Sequence, residues 1–470
     1  MPKIAVVGAG SIVFSRNLIS DILAFDALKQ THFALVDIDP ERLALVEVMA
    51  KSISKTRKAD AKVTAGADRR AALEGADFVI NTVGVGGIEA TRTDLLLPEK
   101  HGVKQVIGDT LSIGGIFRTL RSLPLVIEMA REMEGLCPLA TLLNYTNPMV
   151  SHVLGVVRAT RTPVVGLCHG VRYTLARMAL LVELHLMGKQ AARKLLATRG
   201  SAHEPGGTDY ARFFHGLARG NDHYRGLCAG INHMAAYLLF RRDGQDAYPL
   251  LRQAAEDPDI FEIDPVRLEL MRRFGYFMTE TSGHISEYLP WFLRDPEEIK
   301  RLRLRPNAYL LTCADQEKTY QEYQRRSAAG EEFIRPDEPL SVEYAPAIIN
   351  AVITGQPFVF NGNVSNRGGA LIENLPGDGV VEVPCLADAL GIKPTAIGNL
   401  PPQLAAMMRT NMNVHDLVVE AVLKQDRQHV YHAAMLDPNA AGTLSLPKIQ
   451  TLVDEMIAAH GPLMPAWLRQ

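Results

Sequence analysis

The sequence is poor in cysteine, has no long apolar run, and carries charges that nearly cancel. Its five cysteines are spread over 470 residues and form no Cys-x-x-Cys pair, which argues against a disulfide scaffold and a zinc-finger-type site. No run of about eighteen apolar residues occurs, so no membrane-spanning helix is predicted. Lysine and arginine number 50 against 52 aspartates and glutamates. This balance gives no electrostatic reason to expect nucleic acid or an anionic membrane as a partner.

What remains is the composition of a globular protein with more than one domain. Hydrophobic residues make up 47% and charged residues 22% of the chain, which is usual for a folded domain. A chain of 470 residues exceeds the size of a single typical core. The sequence enters a strand-like run at Lys3–Val7 without a secretion signal. Together with the scattered thiols, this predicts a cytoplasmic protein.

Short apolar runs alternate with helix-like segments over the first 170 residues. The runs are rich in Val, Ile, Leu or Ala and apolar at successive positions, as expected for strands covered on both faces. The predicted strands are Lys3–Val7, His32–Asp37, Asp77–Val83, Val103–Ile107, Ala140–Asn144 and Pro163–Cys168. This alternation predicts an α/β fold with a doubly wound parallel sheet of the Rossmann type, similar to lactate and malate dehydrogenases.

The second half of the sequence lacks this rhythm. It contains long helical stretches such as Pro401–Lys424, strand-like pieces such as Val380–Pro384, and a segment, Arg199–Gly220, with the composition of an insertion or mobile loop. We therefore predict two domains. Residues 1–195 form the doubly wound domain, and residues 196–470 form a mixed α+β domain.

A glycine-rich turn follows the first strand and opens a helix. Gly8 and Gly10 permit a tight turn and close approach of a pyrophosphate, and Ser11 begins the helix; Val13 replaces the third glycine of the usual motif. Asp37 ends the second strand, where a carboxylate can bind ribose hydroxyls and repel a 2′-phosphate. With Asn81 ending a later strand at the same edge, this pattern predicts an NAD site.

Polar side chains follow the later strands at the same edge of the predicted sheet. They include Arg92, Asp109, Asn147, Cys168 and His169. Such a group suits a polyhydroxylated molecule bound beside a nicotinamide. Each residue also has an ordinary structural explanation. Asn147 precedes a proline as in a turn, Asp109 resembles a helix cap, and Cys168 resembles a buried core residue.

Two later segments add chemically active side chains. His233 lies in an apolar stretch, so it is either a metal ligand beside Cys168 or a hydrogen-bonded core histidine. The segment from Thr281 to Tyr288 contains His284 and Glu287. Tyr288 can act as a base if a cation lowers its pKa; otherwise it is an aromatic packing residue.

Taken together, these segments resemble the NAD- and divalent-metal-dependent glycosidases of glycoside hydrolase family 4, most closely the α-galactosidase branch. The resemblance runs through nearly the whole chain. The segments that carry it are Gly8-Ala-Gly-Ser11, Asp37-Ile-Asp-Pro-Glu-Arg42, Gly108-Asp-Thr110, Gly114-Gly-Ile-Phe-Arg118, Asn144-Tyr-Thr-Asn-Pro148, Cys168-His169, Ala229-Gly-Ile-Asn-His-Met234, Glu287-Tyr288, Pro290-Trp-Phe292 and Val430-Tyr-His-Ala-Ala-Met-Leu-Asp-Pro438.

The resemblance implies a metal site and a substrate site. Cys168 and His233 match the metal ligands of the family, where the metal is commonly manganese; by softness alone a Cys–His pair suits zinc better. Arg92 and Asn147 match substrate-binding positions. The resemblance also implies that residues 196–470 carry substrate, metal and subunit contacts, in a homodimer or homotetramer.

The resemblance further implies a glycosidase mechanism that uses NAD without consuming it. NAD⁺ would accept hydride from C3 of the sugar, and Tyr288 would then remove the acidified C2 proton while the metal stabilises the charge. The leaving group at C1 would depart by elimination, with His169 as general acid, before water adds and the hydride returns. The alternative from another class is an NAD-dependent dehydrogenase of a 2-hydroxy acid or sugar.

The position after His169 bears on the substrate. The α-galactosidase branch usually has serine there, whereas this chain has Gly170. Glycine is associated with enzymes of the same family that act on α-linked uronic acids, whose carboxylate would need a cation such as Arg172. We expect α-galactosides as substrates, with α-galacturonides, α-glucuronides and α-glucosides as alternatives.

Overall fold

The computed structural model describes residues 1–199, 208–220, 222–366 and 371–470. Its strands are β1 Lys3–Val7, β2 His32–Val36, β3 Lys62–Gly66, β4 Phe78–Asn81, β5 Thr141–Asn144, β6 Val164–Gly166, β7 Tyr224–Ala229, β8 Ala236–Arg242, β9 Gln245–Asp246, β10 Phe358–Ser365, β11 Val380–Asp388 and β12 Gly391–Pro394. Its helices are α1 Ile12–Ile22, α2 Pro40–Thr56, α3 Arg69–Leu73, α4 Gly87–Lys100, α5 Ser112–Leu136, α6 Met149–Ala159, α7 Gly170–Leu186, α8 Lys189–Leu196, α9 Asp209–Arg219, α10 Tyr248–Ala255, α11 Pro258–Phe261, α12 Pro265–Phe274, α13 Ser282–Ser286, α14 Pro296–Arg301, α15 Tyr309–Ala328, α16 Ala345–Thr354, α17 Pro402–Lys424, α18 Arg427–Leu436, α19 Pro438–Ala441 and α20 Leu446–His460.

One large, mostly parallel sheet organises the described residues. It has nine strands in the order β12-β11-β10-β6-β5-β4-β1-β2-β3, and the pairs from β6 to β3 are all parallel. Alternate residues of β1 enter two different cores, with Ile4 in one and Ala5 in the other. Helices therefore cover both faces of the sheet, which confirms the predicted doubly wound α/β class.

The predicted strand at Val103–Ile107 is wrong. This segment forms no strand, because the backbone N–H groups of Val106 and Ile107 donate to the Glu287 carboxylate at 2.6 and 2.9 Å instead of pairing with a strand. A strand that the apolar pattern did not reveal is β3. It lies at the edge of the sheet and is mostly exposed, so its residues need not be hydrophobic.

The C-terminal half adds three antiparallel strands to the edge of the parallel sheet. β10 pairs antiparallel with β6 through Asn363 and Gly166, and β11 and β12 continue outward. A separate three-stranded sheet, β7-β8-β9, completes the predicted mixed α+β character. The proposed boundary between residues 195 and 196 stays a prediction, and the large sheet draws strands from both sides of it.

The predicted insertion at Arg199–Gly220 is described only in part. Residues 200–207 lie outside the described residues, whereas α9 occupies most of the remainder as a regular helix whose Thr208 side chain caps the Ala211 N–H. Among the described helices, none combines the length and apolar character required to cross a bilayer.

Candidate active site

The turn after β1 has the geometry expected of a dinucleotide site. Gly8 has a φ of +86°, and a Cβ there would lie 2.7 Å from the backbone of Thr82 and Val83. Only glycine fits this approach without strain. Ser11 occupies the N-cap of α1 without a side-chain bond to the helix. The first-turn N–H groups therefore lack a side-chain acceptor, as a phosphate site requires.

Asp37 braces this turn from the end of β2. Its Oδ2 accepts the Gly10 N–H at 2.7 Å, and its Oδ1 accepts the Asp39 N–H at 2.9 Å. A Cβ on Gly10 would lie 2.7 Å from the same carboxylate oxygen. The carboxylate thus holds the turn while remaining partly exposed at the edge where a ribose would lie.

Both polar atoms of the Asn81 side chain make hydrogen bonds within the protein. Its Nδ2 donates to Asn144 Oδ1 at 2.7 Å, its Oδ1 accepts the Val83 N–H at 3.2 Å, and the side chain is buried. These bonds tie the ends of β4 and β5 together. A direct contact between Asn81 and NAD stays a prediction.

Cys168 and His233 meet at the end of β6. The Cys168 Sγ lies 3.4 Å from His233 Nε2, and the Gly170 N–H at the start of α7 donates to the sulfur at 3.3 Å. Burial raises the pKa of the Cys168 thiol well above its usual value. A bound cation would act in the opposite direction, because the thiolate is the form that ligates metals.

Backbone hydrogen bonds to the large sheet hold the loop with His233 beside Cys168. Gly230 and Glu382 of β11 exchange two backbone hydrogen bonds of 3.0 and 2.8 Å. His233 itself has a φ of +63°. Burial lowers the pKa of His233 to about 4, so the imidazole is neutral, which is the form that binds metals.

The other nitrogen of His233 is fixed from behind. Its Nδ1 lies 3.1 Å from Thr110 Oγ1 and 3.2 Å from the Tyr288 hydroxyl. Thr110 donates its own proton to Asp109 Oδ1 at 2.8 Å, so its oxygen accepts from His233 Nδ1. This pattern leaves the Nε2 lone pair directed at Cys168, as is usual for a metal-binding histidine held by a neighbouring group.

Two more residues lie beside this pair, and the sequence interpretation missed one of them, Glu280. Glu280 Oε1 lies 3.8 Å from Cys168 Sγ and 3.9 Å from His233 Nε2. Its Oε2 lies 3.4 Å from His284 Nδ1, and His284 Nε2 lies 2.9 Å from Asp109 Oδ1. His284 stood in a segment singled out by its polar content, but no local pattern pointed to Glu280.

These groups form an alternating arrangement of charges. Burial alone would lower the pKa of His284, but the carboxylates of Asp109 and Glu280 outweigh it and hold the pKa well above its usual value. Burial likewise opposes ionisation of Asp109, yet His284 keeps the pKa of that carboxyl well below its usual range. The site therefore places the His284 imidazole between two carboxylates that favour its protonated form.

Asn147 faces the same group from the end of β5. Its Nδ2 donates to Asp109 Oδ2 at 2.9 Å, and its carbonyl accepts the Arg118 Nε–H at 3.2 Å. Its Oδ1 is buried and has no hydrogen-bond partner, which is costly unless a ligand supplies a donor. The substrate contact of Asn147 stays a prediction.

Arg92 has no described bond to these residues. It stands on α4 with 49% of its side chain exposed, 3.4 Å from Glu89. Burial raises the pKa of Cys313, and the charges of Arg118 and Arg92 oppose it, so both arginines lie towards that thiol. Arg118 is the one that touches Asn147, and the sequence interpretation did not select it.

The two predicted catalytic side chains lie on different sides of the Cys–His pair. Tyr288 is fully buried against His233 Nδ1, and burial raises the pKa of its hydroxyl well above the usual value. His169 is 39% exposed, with its Nδ1 2.9 Å from Glu343 Oε1. Both roles stay predictions.

Glu287 positions the loop that presents Asp109. Its carboxylate is fully buried and accepts three backbone N–H groups, from Val106, Ile107 and Gly108, at 2.6 to 2.9 Å. Burial raises the pKa of Glu287 to about 7, against these bonds. The Glu287 carboxylate therefore holds the loop at residues 106–108, where the sequence had predicted the end of a strand.

The fold and the site together describe an α/β protein with a dinucleotide-type turn and a Cys–His pair at one sheet edge. The chain matches the family described as "Family 4 glycosyl hydrolase" over residues 3–184 and "Family 4 glycosyl hydrolase C-terminal domain" over residues 228–440. The chain belongs to glycosyl hydrolase family 4 and is a glycosidase.

Individual relatives agree with this assignment. The chain is 38% identical to an alpha-galactosidase of Bacillus subtilis (strain 168), covering 99% of this chain and 100% of the relative. It is 32% identical to an alpha-galactosidase of Rhizobium meliloti (strain 1021), over 99% and 89% of the two chains. An alpha-galacturonidase of Thermoanaerobacter italicus is 25% identical over 99% and 98%.

The fold also matches a solved structure. A 6-phospho-alpha-glucosidase from gut microorganisms, solved in complex with NAD and Mn²⁺, superposes with a TM-score of 0.77 over 99% of both chains at 18% identity. At this identity the likeness concerns the fold.

Proposed function

We propose that this glycosidase hydrolyses α-galactosides and requires NAD and a divalent metal ion, manganese being the first candidate. The observation that carries the proposal is the Cys168–His233 pair, 3.4 Å apart, at the same sheet edge as the glycine turn of Gly8 and Gly10. Support for the substrate comes from full-length similarity to two alpha-galactosidases.

The residues present fit both groups. Gly8 lets the turn pack against the backbone of Thr82 and Val83, and the N-terminus of α1, which Ser11 does not cap with its side chain, would receive the pyrophosphate. Asp37 would bind the ribose. Cys168 and neutral His233 supply sulfur and nitrogen ligands for the metal. When bound, NAD would supply a reversible hydride acceptor and the metal a Lewis acid.

The chain's own side chains would then bind the sugar and move its protons. Asn147, whose Oδ1 lacks a partner among the described residues, would accept a hydrogen bond from a sugar hydroxyl. Arg92 is the second predicted substrate contact. Tyr288 is the proposed base for the proton at C2, a role that requires the metal's charge because burial opposes ionisation of the hydroxyl. His169, exposed and paired with Glu343, is the proposed general acid at the C1 leaving group.

An α-galacturonide is the second candidate substrate. It is supported by Gly170 and by the similarity to an alpha-galacturonidase. The lower identity of that relative, 25% against 38%, favours the galactoside. An α-glucuronide or α-glucoside remains a weaker alternative of the same chemistry.

The test uses protein stripped of nucleotide and metal with a p-nitrophenyl α-galactoside. We expect activity only after NAD and Mn²⁺ are both restored, with no net change in nicotinamide absorbance. Accumulation of NADH with an oxidised product would instead identify a dehydrogenase. Full activity of the stripped protein would contradict both assignments.

We also propose a cytoplasmic enzyme that works as a homodimer or homotetramer. All five cysteines are free thiols, which is compatible with a reducing compartment. Sedimentation of the purified enzyme measures its subunit number directly.

A further inference from the structure

A carboxylate stands beside the Cys–His pair. The three atoms Cys168 Sγ, His233 Nε2 and Glu280 Oε1 lie within 3.4 to 3.9 Å of one another. The two separations that involve Glu280 are longer than ordinary hydrogen bonds to oxygen or nitrogen. The three atoms therefore form a small triangle of possible ligand atoms, in which the contacts of the sulfur are at most weak hydrogen bonds.

The position of Glu280 depends on the absence of a side chain at residue 170. A Cβ at Gly170 would lie 2.0 Å from Glu280 Oε1 and 3.2 Å from Cys168 Sγ. Gly170 begins α7 and has no positive φ, so its backbone conformation does not require glycine. The requirement is for space, and the group that fills the space is the Glu280 carboxylate.

We propose that Glu280 is a third side-chain ligand of the metal ion, and that Gly170 is glycine because any side chain there would displace the Glu280 carboxylate. The inference rests on the proposed metal dependence. It also gives Gly170 a role in metal binding, instead of the role in sugar specificity that its position in the sequence suggested.

The distances suit one shared ion. Ligand atoms bound about 2.0 to 2.3 Å from the same metal lie about 3 to 4 Å apart, as these three do. A second group, Asp109, His233 and His284, also satisfies such a distance test. Two of its members already bond each other, since His284 Nε2 lies 2.9 Å from Asp109 Oδ1, and His233 Nδ1 is occupied by Thr110.

The local backbone is held to keep Glu280 in place. Glu280 has a φ of +41°, which is unfavourable for a side chain other than glycine, asparagine or aspartate. On one side the Thr279 N–H donates to Ala235 O at 2.7 Å, and on the other Thr281 caps α13. Because His233 precedes Ala235 by two residues, this bond joins the two ligand segments.

The ligand set then suits manganese better than the pair alone. A thiolate and an imidazole favour zinc by softness, whereas a carboxylate oxygen is a ligand that Mn²⁺ prefers. A thiolate and a carboxylate would also neutralise a divalent charge. Loss of Glu280 should therefore weaken Mn²⁺ binding more than Zn²⁺ binding.

The experiment measures Mn²⁺ affinity of the NAD-bound protein by electron paramagnetic resonance of free Mn²⁺. We expect Glu280→Ala and Gly170→Ala each to raise the Mn²⁺ dissociation constant at least about tenfold, with NAD affinity within about twofold of wild type as the control for folding. The matched control is Glu343→Gln, which removes a carboxylate that contacts His169 and not the sulfur. It should change Mn²⁺ affinity less than about threefold.

A double variant tests the assigned cause. If Gly170→Ala acts by displacing Glu280, it should cost nothing further in a Glu280→Ala background, because neighbouring effects on one group are not additive. Unchanged Mn²⁺ affinity in Glu280→Ala, with affinity lost in Cys168→Ser, would overturn the inference and leave the metal site standing. Unchanged affinity in Cys168→Ser itself would overturn the proposed metal site.

Discussion

The two ends of the candidate site are built in different ways. The nucleotide end uses residues close together in sequence, the turn of Gly8 and Gly10 and the carboxylate of Asp37, all placed by two adjacent parallel strands. The proposed metal end would use Cys168, His233 and Glu280, which come from three separate segments joined by backbone bonds to β11 and to Ala235. A local motif can therefore be read directly, whereas an assembled site is recognised only after folding.

The difference also concerns what a substitution can do. At the nucleotide end, Gly8 and Gly10 leave room for the Thr82 and Val83 backbone and for the Asp37 carboxylate, so added bulk is the damaging change. At the metal end, side chains supply the atoms that bind, so loss of a functional group is the damaging change. The predictions below separate the two ends by measuring NAD and Mn²⁺ affinity in the same variants.

The largest effect is expected from removing a metal ligand. Cys168→Ser and His233→Ala should each lower α-galactosidase activity at least about a thousandfold, because the Lewis acid is lost. NAD affinity should stay within about twofold, since the dinucleotide turn lies on β1 and β2. Isothermal titration of both ligands measures the separation, with Cys137→Ser, a buried thiol in another part of the core, as control. Retained activity in Cys168→Ser would show that Cys168 is an ordinary core residue and not a metal ligand.

A smaller effect is expected at the nucleotide end. Gly8→Ala should raise the NAD dissociation constant at least about tenfold, because the φ of +86° and the 2.7 Å approach to Thr82 backbone cannot be kept. Mn²⁺ affinity should change less than about threefold. Gly66→Ala is the matched control, since a Cβ at the end of β3 meets nothing within 4 Å. Equal NAD affinity in the two variants would contradict the assigned cradle.

The extent of sequence-based prediction follows the same division. The strands β1, β2, β4, β5 and β6 and the glycine turn were predictable because continuous apolar runs and local spacing define them. Val103–Ile107 also contains three apolar residues, but its backbone bonds to Glu287, a partner far along the chain. No local sequence pattern could predict the contact between this segment and Glu287.

The assembled end was predictable only in part. Cys168 and His233 were selected through the family resemblance, and the structure brings them together. Glu280 was missed because its place depends on a backbone bond to Ala235 and on empty space at Gly170. Arg118 was missed because a half-buried arginine inside a long helix looks like any polar helical residue, while Arg92 is exposed on α4.

A moderate, pH-dependent effect on stability is expected from Asp21. This residue joins α1, the helix after the glycine turn, to Ser341 far along the chain. Asp21 of α1 accepts the Ser341 N–H at 2.9 Å, and burial raises the pKa of Asp21 from 3.8 to about 6, against the Ser341 bonds and Arg57 and with a smaller contribution from Glu343. The folded protein holds this proton more tightly than the unfolded chain. Its contribution to stability therefore falls as pH rises from about 4 to about 6, by about 2 to 3 kcal/mol.

Asp21→Asn removes the titrating group and tests this sign. The variant should gain thermal stability relative to wild type as the pH rises from about 4 to about 7, measured as the difference in Tm at each pH. Ser341→Ala leaves the carboxyl in place but removes the hydroxyl that lowers the pKa of Asp21, so its stability should fall with rising pH at least as steeply as that of wild type. A difference in Tm that shrinks with rising pH would contradict the assigned pKa direction.

The smallest effect is expected at Arg172, the arginine that would matter if the sugar were a uronic acid. Its guanidinium donates to the Arg219 carbonyl at 3.2 Å, so part of its donor capacity is used between α7 and α9. For an α-galactoside we expect Arg172→Ala to change kcat/KM less than about threefold, as for loss of one hydrogen bond at a partly exposed site. Arg219→Ala, an exposed arginine on the neighbouring helix, is the control. A wild-type preference for α-galacturonide that disappears in Arg172→Ala would reverse the order of the two substrates, because a carboxylate bound to that guanidinium would then carry the specificity.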